Sequence, residues 1–452
     1  MKFKFFAFVL CLFCIKLVYG QSPSVLTKID SILNRRWNTA IENNITEWGR
    51  FYTADAYVVE FDPNQNKIMP KPGHRWPEAG NLISWDFDLE NSSGDDEKIF
   101  QNGTVHLTYE YLKKRTVYSY FSILLWQKQP GGEYKIAWDI SSCKDTFHYY
   151  YFDILKDSTW ISIGSDSIFA IIYRPNTNAG KVPGVYCLQG GGNVGIDNYI
   201  YEAELFAHAG IASLICDKSG SGKSKGKSSW ITQSFIEKLN EYFSILDWFR
   251  RQAFIDSASV GLHGPSEGGR LAIAMVLEKP EKIKFVNAVS APLETYKENQ
   301  LFAIGQLLQS QGYNRSVIGH TVSLFDDYFE CIKSGSLSND VLNRIQQVRK
   351  EYPNLYLPPN TTQLPEMPRP EDIDFSLGND LSFCLKPVLF QYGDADSRVN
   401  TQKSIELIPM KPNLHIQIYK NADHSINLPN GDTHKSYMTD KLKWVISNCK
   451  KE

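Results

Sequence analysis

The spacing of hydrophobic and polar positions changes about a third of the way along the chain. Before that point, apolar residues recur at helical spacing over residues 25–41, and strand-like alternation follows. The strand-like stretches are residues 56–61, 104–112, 116–126 and 134–140. A Pro-Gly-Gly sequence at residues 130–132 predicts a hairpin turn between the last two. A helix followed by antiparallel strands predicts a small α+β domain.

After about residue 144, short apolar runs alternate with helical patterns. The predicted strands are residues 183–188, 211–216, 257–263, 285–290, 387–392 and 414–419. The predicted helices are residues 198–209, 231–251, 268–278 and 434–447. Alternating strands and helices are typical of an α/β domain, in which helices cover both faces of a mostly parallel sheet.

The start of the chain and the two patterns together predict three segments. Residues 1–20 begin with Lys2 and Lys4 and continue with an apolar run too short to span a bilayer, so they predict a cleaved export signal. Residues 21–145 predict the α+β domain, and residues 146–452 predict the α/β domain. We therefore expect a secreted or periplasmic protein with no membrane span.

Composition narrows the classes of partner and cofactor. The net charge is −2, which gives no reason to expect nucleic acid as a partner. No spacing of Cys and His predicts a zinc site, so we expect no metal and no other cofactor. The cysteines that could pair in an oxidising compartment, with open connectivity, are Cys143, Cys331, Cys384 and Cys449. The lysines expected to lie in a solvated loop are Lys218, Lys223, Lys225 and Lys227.

The sharpest chemical pattern is a G-x-S-x-G sequence with Ser266 at its centre. It lies between a predicted strand and a predicted helix, where it forms a tight turn that presents the serine at the carboxyl end of a sheet. Gly264 and Gly268 flank the serine, and a side chain at either position would collide with the neighbouring strand or helix. Ser266 is therefore the candidate nucleophile.

A serine hydroxyl needs a general base, and the base needs a carboxylate that orients it. With this turn, the chain order is serine, acid, histidine. Asp396 follows the next-to-last predicted strand and is the preferred acid, with Asp394 as the alternative. His424 follows the last predicted strand and is preferred over His434, which is predicted inside the last helix. Asp423 is interpreted as a loop-forming residue.

The oxyanion of an acyl-transfer reaction is usually held by backbone N–H groups. One candidate donor is the N–H of Glu267, the residue after the nucleophile. The second is the N–H of Gly191, in a glycine-rich loop after a predicted strand, with Gly190 and Gly192 as alternatives.

From about Ile161 to its end, the chain resembles the α/β-hydrolases, most closely secreted bacterial esterases and acyl hydrolases. The sequences that carry the resemblance are PGVYCLQGGG, CDKSGSGKSKG, FIDSASVGLHGPSEGGRLAIAM, KPVLFQYGDADSRV and NADHSI. The resemblance implies hydrolysis of an ester, thioester or amide of a small-molecule acyl substrate through a covalent acyl-serine. Many members have His-Gly before the oxyanion loop, whereas this chain has Gln189-Gly190.

The first domain resembles the SnoaL-like (nuclear-transport-factor-like) cone domains. The sequences that carry this resemblance are RRWNTAIENN, FYTADAYVVEF and YFSILLWQKQPGGEYKIAWDIS. Such cones serve as enzymes, ligand pockets or dimerisation modules, so the resemblance implies a homodimer through this domain as one outcome. His106, Tyr109 and Glu110 are interpreted as structural, and no chemistry is assigned here.

Residues 291–385 interrupt the alternation with amphipathic helix patterns and a proline-rich end. This insertion lies between the strand after the nucleophile turn and the strand that precedes the acid. We expect it to form a lid that excludes water and shapes the choice of substrate.

Three other hypotheses fit part of the sequence. Gly190, Gly192 and Gly195, followed by Asp217, have the spacing of a dinucleotide-binding site, but that hypothesis leaves the later serine, acid and histidine unexplained. A serine peptidase or aminoacyl amidase would use the same three residues. A non-catalytic secreted binding protein is the third, and the complete order of serine, acid and histidine argues against it.

Overall fold

A computed structural model of the chain describes residues 52–62, 67–70, 81–178, 180–192, 195–226, 229–359, 361 and 363–449. The predicted export signal at residues 1–20 and the predicted helix at residues 25–41 lie outside the described residues. The chain forms two compact units, Met1–His148 and Tyr149–Glu452. The domain boundary predicted from the sequence lies at residue 145.

The N-terminal unit contains a six-stranded sheet with the order β2-β1-β6-β5-β4-β3. Its strands are β1 (Tyr52–Asp62), β2 (Lys67–Pro70), β3 (Asn81–Gly94), β4 (Lys98–Tyr111), β5 (Lys114–Lys128) and β6 (Tyr134–Tyr150). β1 pairs with β6 in parallel, whereas β1–β2, β3–β4 and β4–β5 are antiparallel pairs. Each of the four predicted strands overlaps one observed strand, and the predicted turn at residues 130–132 joins β5 to β6. β2 and β3 were not predicted from the sequence.

Polar side chains in this sheet support neighbouring strands. His106 is buried; its Nδ1 lies 2.9 Å from the Ser119 hydroxyl and its Nε2 lies 3.4 Å from Asp88. Glu110 accepts a hydrogen bond from Arg115 at 2.8 Å. We assign no reaction to these residues.

The C-terminal unit contains an eight-stranded sheet with the order β14-β13-β12-β11-β9-β10-β8-β7. Its strands are β7 (Ile154–Ile163), β8 (Asp166–Pro175), β9 (Val182–Cys187), β10 (Ala212–Cys216), β11 (Ile255–Pro265), β12 (Val286–Val289), β13 (Val388–Gly393) and β14 (Leu414–Tyr419). Neighbouring strands from β9 to β14 pair in parallel, and β8 pairs antiparallel with both β7 and β10. This mostly parallel sheet is that of the α/β-hydrolase fold, and it confirms the predicted fold class.

Nine helices accompany this sheet in the described part of the unit. They are α1 (Ile200–His208), α2 (Phe235–Arg250), α3 (Glu267–Glu278), α4 (Tyr296–Ser310), α5 (Arg315–Ser334), α6 (Asn339–Glu351), α7 (Pro370–Ile373), α8 (Thr401–Glu406) and α9 (Lys435–Cys449). Short 3-10 turns add to them at Ile196–Tyr199, Trp230–Thr232, Pro280–Lys282 and Asn379–Phe383. Local sequence sets several helix boundaries. α2 begins at a capping box formed by Ser234 and Glu237, and α5 ends at Gly335, whose backbone has a left-handed conformation.

Helices cover both faces of the sheet. On β9, the ring of Tyr186 contacts Tyr242 of α2, with centroids 5.6 Å apart. The next residue, Cys187, points to the opposite face, where Lys441 of α9 lies 3.4 Å from Glu202 of α1. Because the central strands are buried on both sides, β10, β12 and β13 contain only buried residues. The unbroken apolar runs of the sequence follow from this burial.

The insertion between β12 and β13 holds α4 to α7 and has an apolar core of its own. Leu308, Leu324, Phe325 and Ile345 are buried together in that core. The insertion is therefore a packed helical subdomain and not an extended loop.

The described part of the chain also bears on the sequence-based expectations for disulfides, metal sites and membrane spans. Its six cysteines are free thiols, and all but Cys143 are buried. No group of three or more His, Cys, Asp or Glu side chains in the described ranges is arranged to hold a metal ion. None of the helices in those ranges is both long enough and apolar enough to cross a bilayer.

Candidate active site

Ser266 lies in the sharp turn between β11 and α3. Its backbone has φ 53° and ψ −123°, a conformation that L-residues avoid and that strand-to-helix nucleophile turns impose. The Ser266 N–H donates to the Val289 carbonyl of the neighbouring strand β12, which fixes the turn to the sheet. The first N–H groups of α3 have no acceptor within the helix.

The glycines around the nucleophile are required by close packing. A Cβ on Gly264 would lie 2.5 Å from the backbone of Gly268 at the start of the helix. A Cβ on Gly268 would lie 2.6 Å from the carbonyl oxygen of Gln189, which follows β9. Real Cβ atoms essentially never approach other atoms this closely. A side chain at Gly264 would therefore collide with the start of the helix, and one at Gly268 with the segment after β9, as the sequence predicted.

Asp396 and His424 form a hydrogen-bonded pair past the ends of β13 and β14. His424 Nδ1 lies 2.8 Å from Asp396 Oδ2, and the Asp396 side chain has no exposed surface. Asp396 Oδ1 also accepts the backbone N–H groups of Arg398 at 2.7 Å and Val399 at 2.9 Å. Because an ionised carboxylate only accepts hydrogen bonds, Nδ1 carries the proton and Nε2 is left as the basic nitrogen.

The rival residues make other contacts. Asp394 accepts the backbone N–H of Asn421 and so joins the two loops instead of contacting the imidazole. Asp423 accepts the N–H groups of Ser425 and Asn427 within its own loop. His434 is buried against Tyr419 just before α9, not inside the helix as the sequence predicted.

Ser266 and the Asp396–His424 pair share the carboxyl edge of the sheet, because β11, β13 and β14 run parallel. Within the described residues, the Ser266 hydroxyl makes no hydrogen bond to His424 or to any other group. Catalytic hydrogen bonds often form only when substrate is bound. The structure therefore brings together the candidate acid and the candidate base, and the candidate nucleophile lies at the same edge without a direct bond to them.

The glycine loop after β9 runs beside the nucleophile turn. A Cβ on Gly190 would lie 3.6 Å from Ser266 Cβ, and a Cβ on Gly191 would lie 3.9 Å from Glu267 Cβ. The Gly190 N–H already donates to the Tyr199 hydroxyl at 2.7 Å. Of the three glycines, Gly190 is thus committed elsewhere, which favours Gly191 over it as an oxyanion donor.

Lys218 is buried and contacts this glycine loop. The prediction that it lies in a solvated loop is wrong. The residue is 2 % exposed, and its Nζ donates to the Gly190 carbonyl and, at 2.8 Å, to the Gly192 carbonyl. The ammonium also lies 4.5 Å from the centre of the Trp230 ring. Burial lowers the pKa of Lys218 to about 8, although the nearby Glu267 carboxylate opposes the shift. The sequence pattern could not predict that Lys218 supports the glycine loop, because this role depends on contacts between loops that are distant in the chain.

The rest of the predicted lysine cluster differs from Lys218. Lys223 and Lys225 lie over the rings of Phe169 and Trp160, at 4.7 Å and 5.2 Å from the ring centres. Lys227 lies outside the described residues.

Gln189 and Asp217 tie the glycine loop to the turn after β10. Gln189 donates from Nε2 to the Cys216 carbonyl. Asp217 Oδ1 accepts the N–H of Ile196 at 3.0 Å, and its Oδ2 accepts the N–H of Lys223 at 2.8 Å. Because Asp217 is 3 % exposed and both of its carboxylate oxygens accept backbone N–H groups, the residue is not available to a nucleotide ribose as the dinucleotide hypothesis requires.

A cavity of about 390 Å³ opens over Ser266. Its wall on the sheet side includes Glu267 and Arg270 of α3, and the insertion supplies much of the opposite wall. The lining residues from the insertion are Pro292, Tyr296, Asn299, Gln300, Met367, Pro368, Asp372 and Phe375. The remaining lining residues are Gly191, Gly192, Trp230, Ile231, Phe235 and Lys238. This volume falls in the range of small-molecule sites.

The carboxylate of Glu267, in the cavity wall, is paired with two neighbouring cations. Glu267 Oε1 accepts from Lys238 Nζ at 2.7 Å, and its Oε2 accepts from Trp230 Nε1 at 3.2 Å. Burial would raise the pKa of Glu267, but the ammonium groups of Lys238 and Lys218 outweigh it and hold the pKa below its usual value. Glu267 is therefore a carboxylate whose negative charge is already neutralised by the protein.

A sequence model of the X-Pro dipeptidyl-peptidase (S15) family matches residues 164–327, which is less than half of the chain. The matched segment contains Ser266 but neither Asp396 nor His424. No curated protein matches the chain in sequence.

Solved structures with a similar chain path include several α/β-hydrolases. Est1E from Butyrivibrio proteoclasticus, solved with ferulic acid, is 16 % identical, with 64 % of this chain and 96 % of that chain covered and a TM-score of 0.43. Proline iminopeptidase from Mycobacterium smegmatis is 13 % identical, with 65 % and 99 % covered and a TM-score of 0.42. The α/β hydrolase GrgF from Penicillium sp. sh18 is 13 % identical, with 66 % and 99 % covered and a TM-score of 0.44.

Proposed function

We propose that this protein is a serine hydrolase that cleaves a carboxylic ester or thioester of a small or medium acyl group through an acyl-serine intermediate. The observation that carries the proposal is the hydrogen bond between His424 and Asp396 at the sheet edge where Ser266 is presented. That pairing supplies an oriented base at the place where a nucleophile is held in a strained turn.

In the proposed reaction, His424 Nε2 takes the proton of the Ser266 hydroxyl as its oxygen attacks the acyl carbonyl. The proton then passes to the leaving alkoxide or thiolate, and the acyl group remains on Ser266. A water molecule next attacks the acyl carbonyl while His424 accepts its proton, and the acid is released with Ser266 restored. Asp396 keeps the imidazole oriented and stabilises its charged form throughout.

The oxyanion formed in each step needs donors that are already in place. We assign the N–H groups of Glu267 and Gly191 to this role. Glu267 begins α3, so its N–H adds the favourable field of a helix N-terminus. Gly191 is supported by the two carbonyl contacts that Lys218 makes on either side of it.

A second candidate, a serine peptidase or aminoacyl amidase, is favoured by the match of residues 164–327 to the X-Pro dipeptidyl-peptidase family. A peptidase that recognises the free amino group of its substrate could use Glu267 to bind it. This carboxylate is already paired with Lys238 at 2.7 Å, which argues against that role. We therefore rank the ester first.

Turnover on a matched panel tests the proposal and ranks the two candidates. The panel presents the same acyl groups as 4-nitrophenyl esters, alkyl esters, thioesters and 4-nitroanilides, and adds aminoacyl and X-Pro anilides. We expect kcat/KM to be highest on esters or thioesters, and Ser266→Ala to lower it by several orders of magnitude. Highest activity on X-Pro anilides would favour the peptidase, and an absence of turnover on every class would favour a binding protein. Near-full activity of Ser266→Ala on the best substrate would overturn the assignment.

A further inference from the structure

Arg270 places a buried positive charge in the wall of the Ser266 cavity. It lies one helical turn beyond the nucleophile on α3 and is 6 % exposed. Its guanidinium carbon lies 5.6 Å from the ring centre of Phe235 and 5.3 Å from that of Phe375. Burial lowers the pKa of Arg270 to about 10, against the opposing effect of Glu294, so the group keeps its charge at neutral pH.

The protein satisfies only part of the hydrogen-bonding capacity of this guanidinium. Nη2 donates to the Phe375 carbonyl, whereas Nε is buried without a partner in the described part of the chain. No carboxylate of the described residues forms an ion pair with Arg270. A guanidinium has five N–H donors, and a buried charge left without a counter-ion is unfavourable.

The carboxylates near Arg270 are engaged by other groups. Glu267 is bound by Lys238 and Trp230. Asp372 accepts the N–H of Phe235 at the start of α2, at 3.3 Å from each oxygen. Glu294 is buried and accepts from Ser404 at 2.7 Å and from Asn299 at 3.2 Å. Arg270 is thus the cation of the cavity that lacks a direct anionic partner among the described residues, in contrast to Lys238.

We propose that Arg270 binds a carboxylate at the far end of the substrate's acyl chain, so that the enzyme prefers monoesters of dicarboxylic acids. This inference rests on the proposed function of Ser266 and names its substrate class. Charge-assisted hydrogen bonds between guanidinium and carboxylate are strong and directional. The rings of Phe235, Phe375 and Tyr296 line the same cavity and suit the methylene chain between the two ends of such a substrate.

Two matched pairs of esters test this preference with the full chain. One pair is 4-nitrophenyl hydrogen adipate and 4-nitrophenyl methyl adipate, and the other is the corresponding pair of suberates. Within a pair, only the charge at the far end differs, and spontaneous hydrolysis is subtracted for each ester. We expect kcat/KM to favour the free acid by about tenfold or more in at least one pair.

Variants of Arg270 attribute the preference to this residue. Arg270→Met should remove the preference, so that kcat/KM of the free acid no longer exceeds that of the methyl ester, because the guanidinium that would bind the carboxylate is gone. Arg270→Lys should retain part of the preference. Arg251→Met, which removes an exposed arginine at the end of α2, is the matched control and should leave both esters unchanged.

The outcomes separate this inference from the proposed function. Equal kcat/KM for acid and methyl ester in the wild type overturns the inference, and this result needs no variant to fold. A preference that survives in folded Arg270→Met also overturns it. If neither pair is cleaved and a fluorophosphonate does not label Ser266, the proposed function fails and the inference fails with it. If the fluorophosphonate labels Ser266 but neither pair shows a preference for the acid, the proposed function is supported and the inference about Arg270 is wrong.

Discussion

Asp394 and Asp396 are two positions apart in one loop, yet only Asp396 contacts the imidazole of His424. Asp396 has no exposed side-chain surface and accepts three hydrogen bonds, one of them from His424 at 2.8 Å. Asp394 instead accepts the N–H of Asn421. The difference is one of direction, since the turn aims one carboxylate at the base and the other at the backbone of the next loop.

Asparagine substitutions at the two aspartates should therefore differ in effect. Asp396→Asn should lower kcat by about 10,000-fold, because an amide cannot hold His424 in the required tautomer. Asp394→Asn should change kcat by less than about threefold, since an amide oxygen can still accept from Asn421. Steady-state turnover of the best ester measures both variants. A large loss in Asp394→Asn with little loss in Asp396→Asn would reverse the assignment of the acid.

Lys218 should matter to turnover more than to substrate binding. Lys218→Met removes both contacts with the glycine loop, and we expect kcat to fall about tenfold to a hundredfold with little change in KM, because the oxyanion donor is misplaced. Lys223→Met, in the same turn but over the Phe169 ring, is the matched control and should leave kcat unchanged. Equal effects of the two substitutions would contradict a positioning role.

The pH profile gives Lys218 a second, independent readout. The pKa of Lys218 is lowered by burial to about 8, so the ammonium is present below that pH and loses its charge above it. Wild-type kcat should decline as pH rises through this value, as the contacts with the loop weaken. Lys218→Arg keeps its charge and should shift the decline to higher pH, provided that it retains activity. An identical alkaline limb in wild type and Lys218→Arg would show that another group controls it.

At the residue scale, the sequence predicts what depends on local spacing. Ser266 could be found because its glycines are close in sequence and their requirement is steric. Lys218 and Arg270 could not be found in this way, because their roles depend on loops and helices that are distant in the chain. Lys218 is followed by two serines and two glycines, a composition typical of a solvated loop, and only the fold shows that it is buried.

The strand-turn-helix element around Ser266 requires its glycines because the backbones of neighbouring segments approach them closely. Gly268→Ala would place a methyl group 2.6 Å from the Gln189 carbonyl oxygen. We expect the free energy of unfolding to fall by about 1–3 kcal/mol, the usual result of overpacking. Gly319 is the matched control, because it lies within α5 and a methyl group there would meet no other atom within 4 Å. Gly319→Ala should raise the free energy of unfolding by about 0.5–1 kcal/mol.

Urea unfolding of the full chain, followed by a probe in the C-terminal unit, compares the two alanine variants. A Gly268→Ala protein as stable as the wild type would mean that the turn adapts to a side chain. In that case, the steric explanation of the G-x-S-x-G sequence in this chain would be wrong.

At the element scale, the parallel strands were predictable and the antiparallel edge was not. The strands β9 to β13 are buried and appear as short apolar runs between helical patterns. The hairpin of β7 and β8 was missed, although Gly164 has φ 57° at its turn and the ten-residue strands pair in register around it. Its first strand is largely exposed and mixes polar with apolar residues, so alternation there is weak.

At the scale of the whole molecule, the site is built by segments far apart in sequence. Ser266 follows β11, Asp396 and His424 follow β13 and β14, and the insertion between β12 and β13 contributes to the lining of the cavity. The order of these parts was predictable because the fold fixes it. The charges that line the cavity were not, since they depend on how the insertion packs. Export, a lid that excludes water and shapes the choice of substrate, a SnoaL-like first domain and a homodimer through it stay predictions.

The most direct test of the account is to map covalent modification of the full chain by a fluorophosphonate. We predict a single adduct, on the peptide that contains Ser266, and labelling slowed by about a hundredfold or more in His424→Ala, because the hydroxyl then lacks its base. Asp394→Asn should be labelled at the wild-type rate. No adduct, an adduct on another residue, or an unchanged labelling rate in His424→Ala would contradict the assignment of Ser266 and His424 to one catalytic centre.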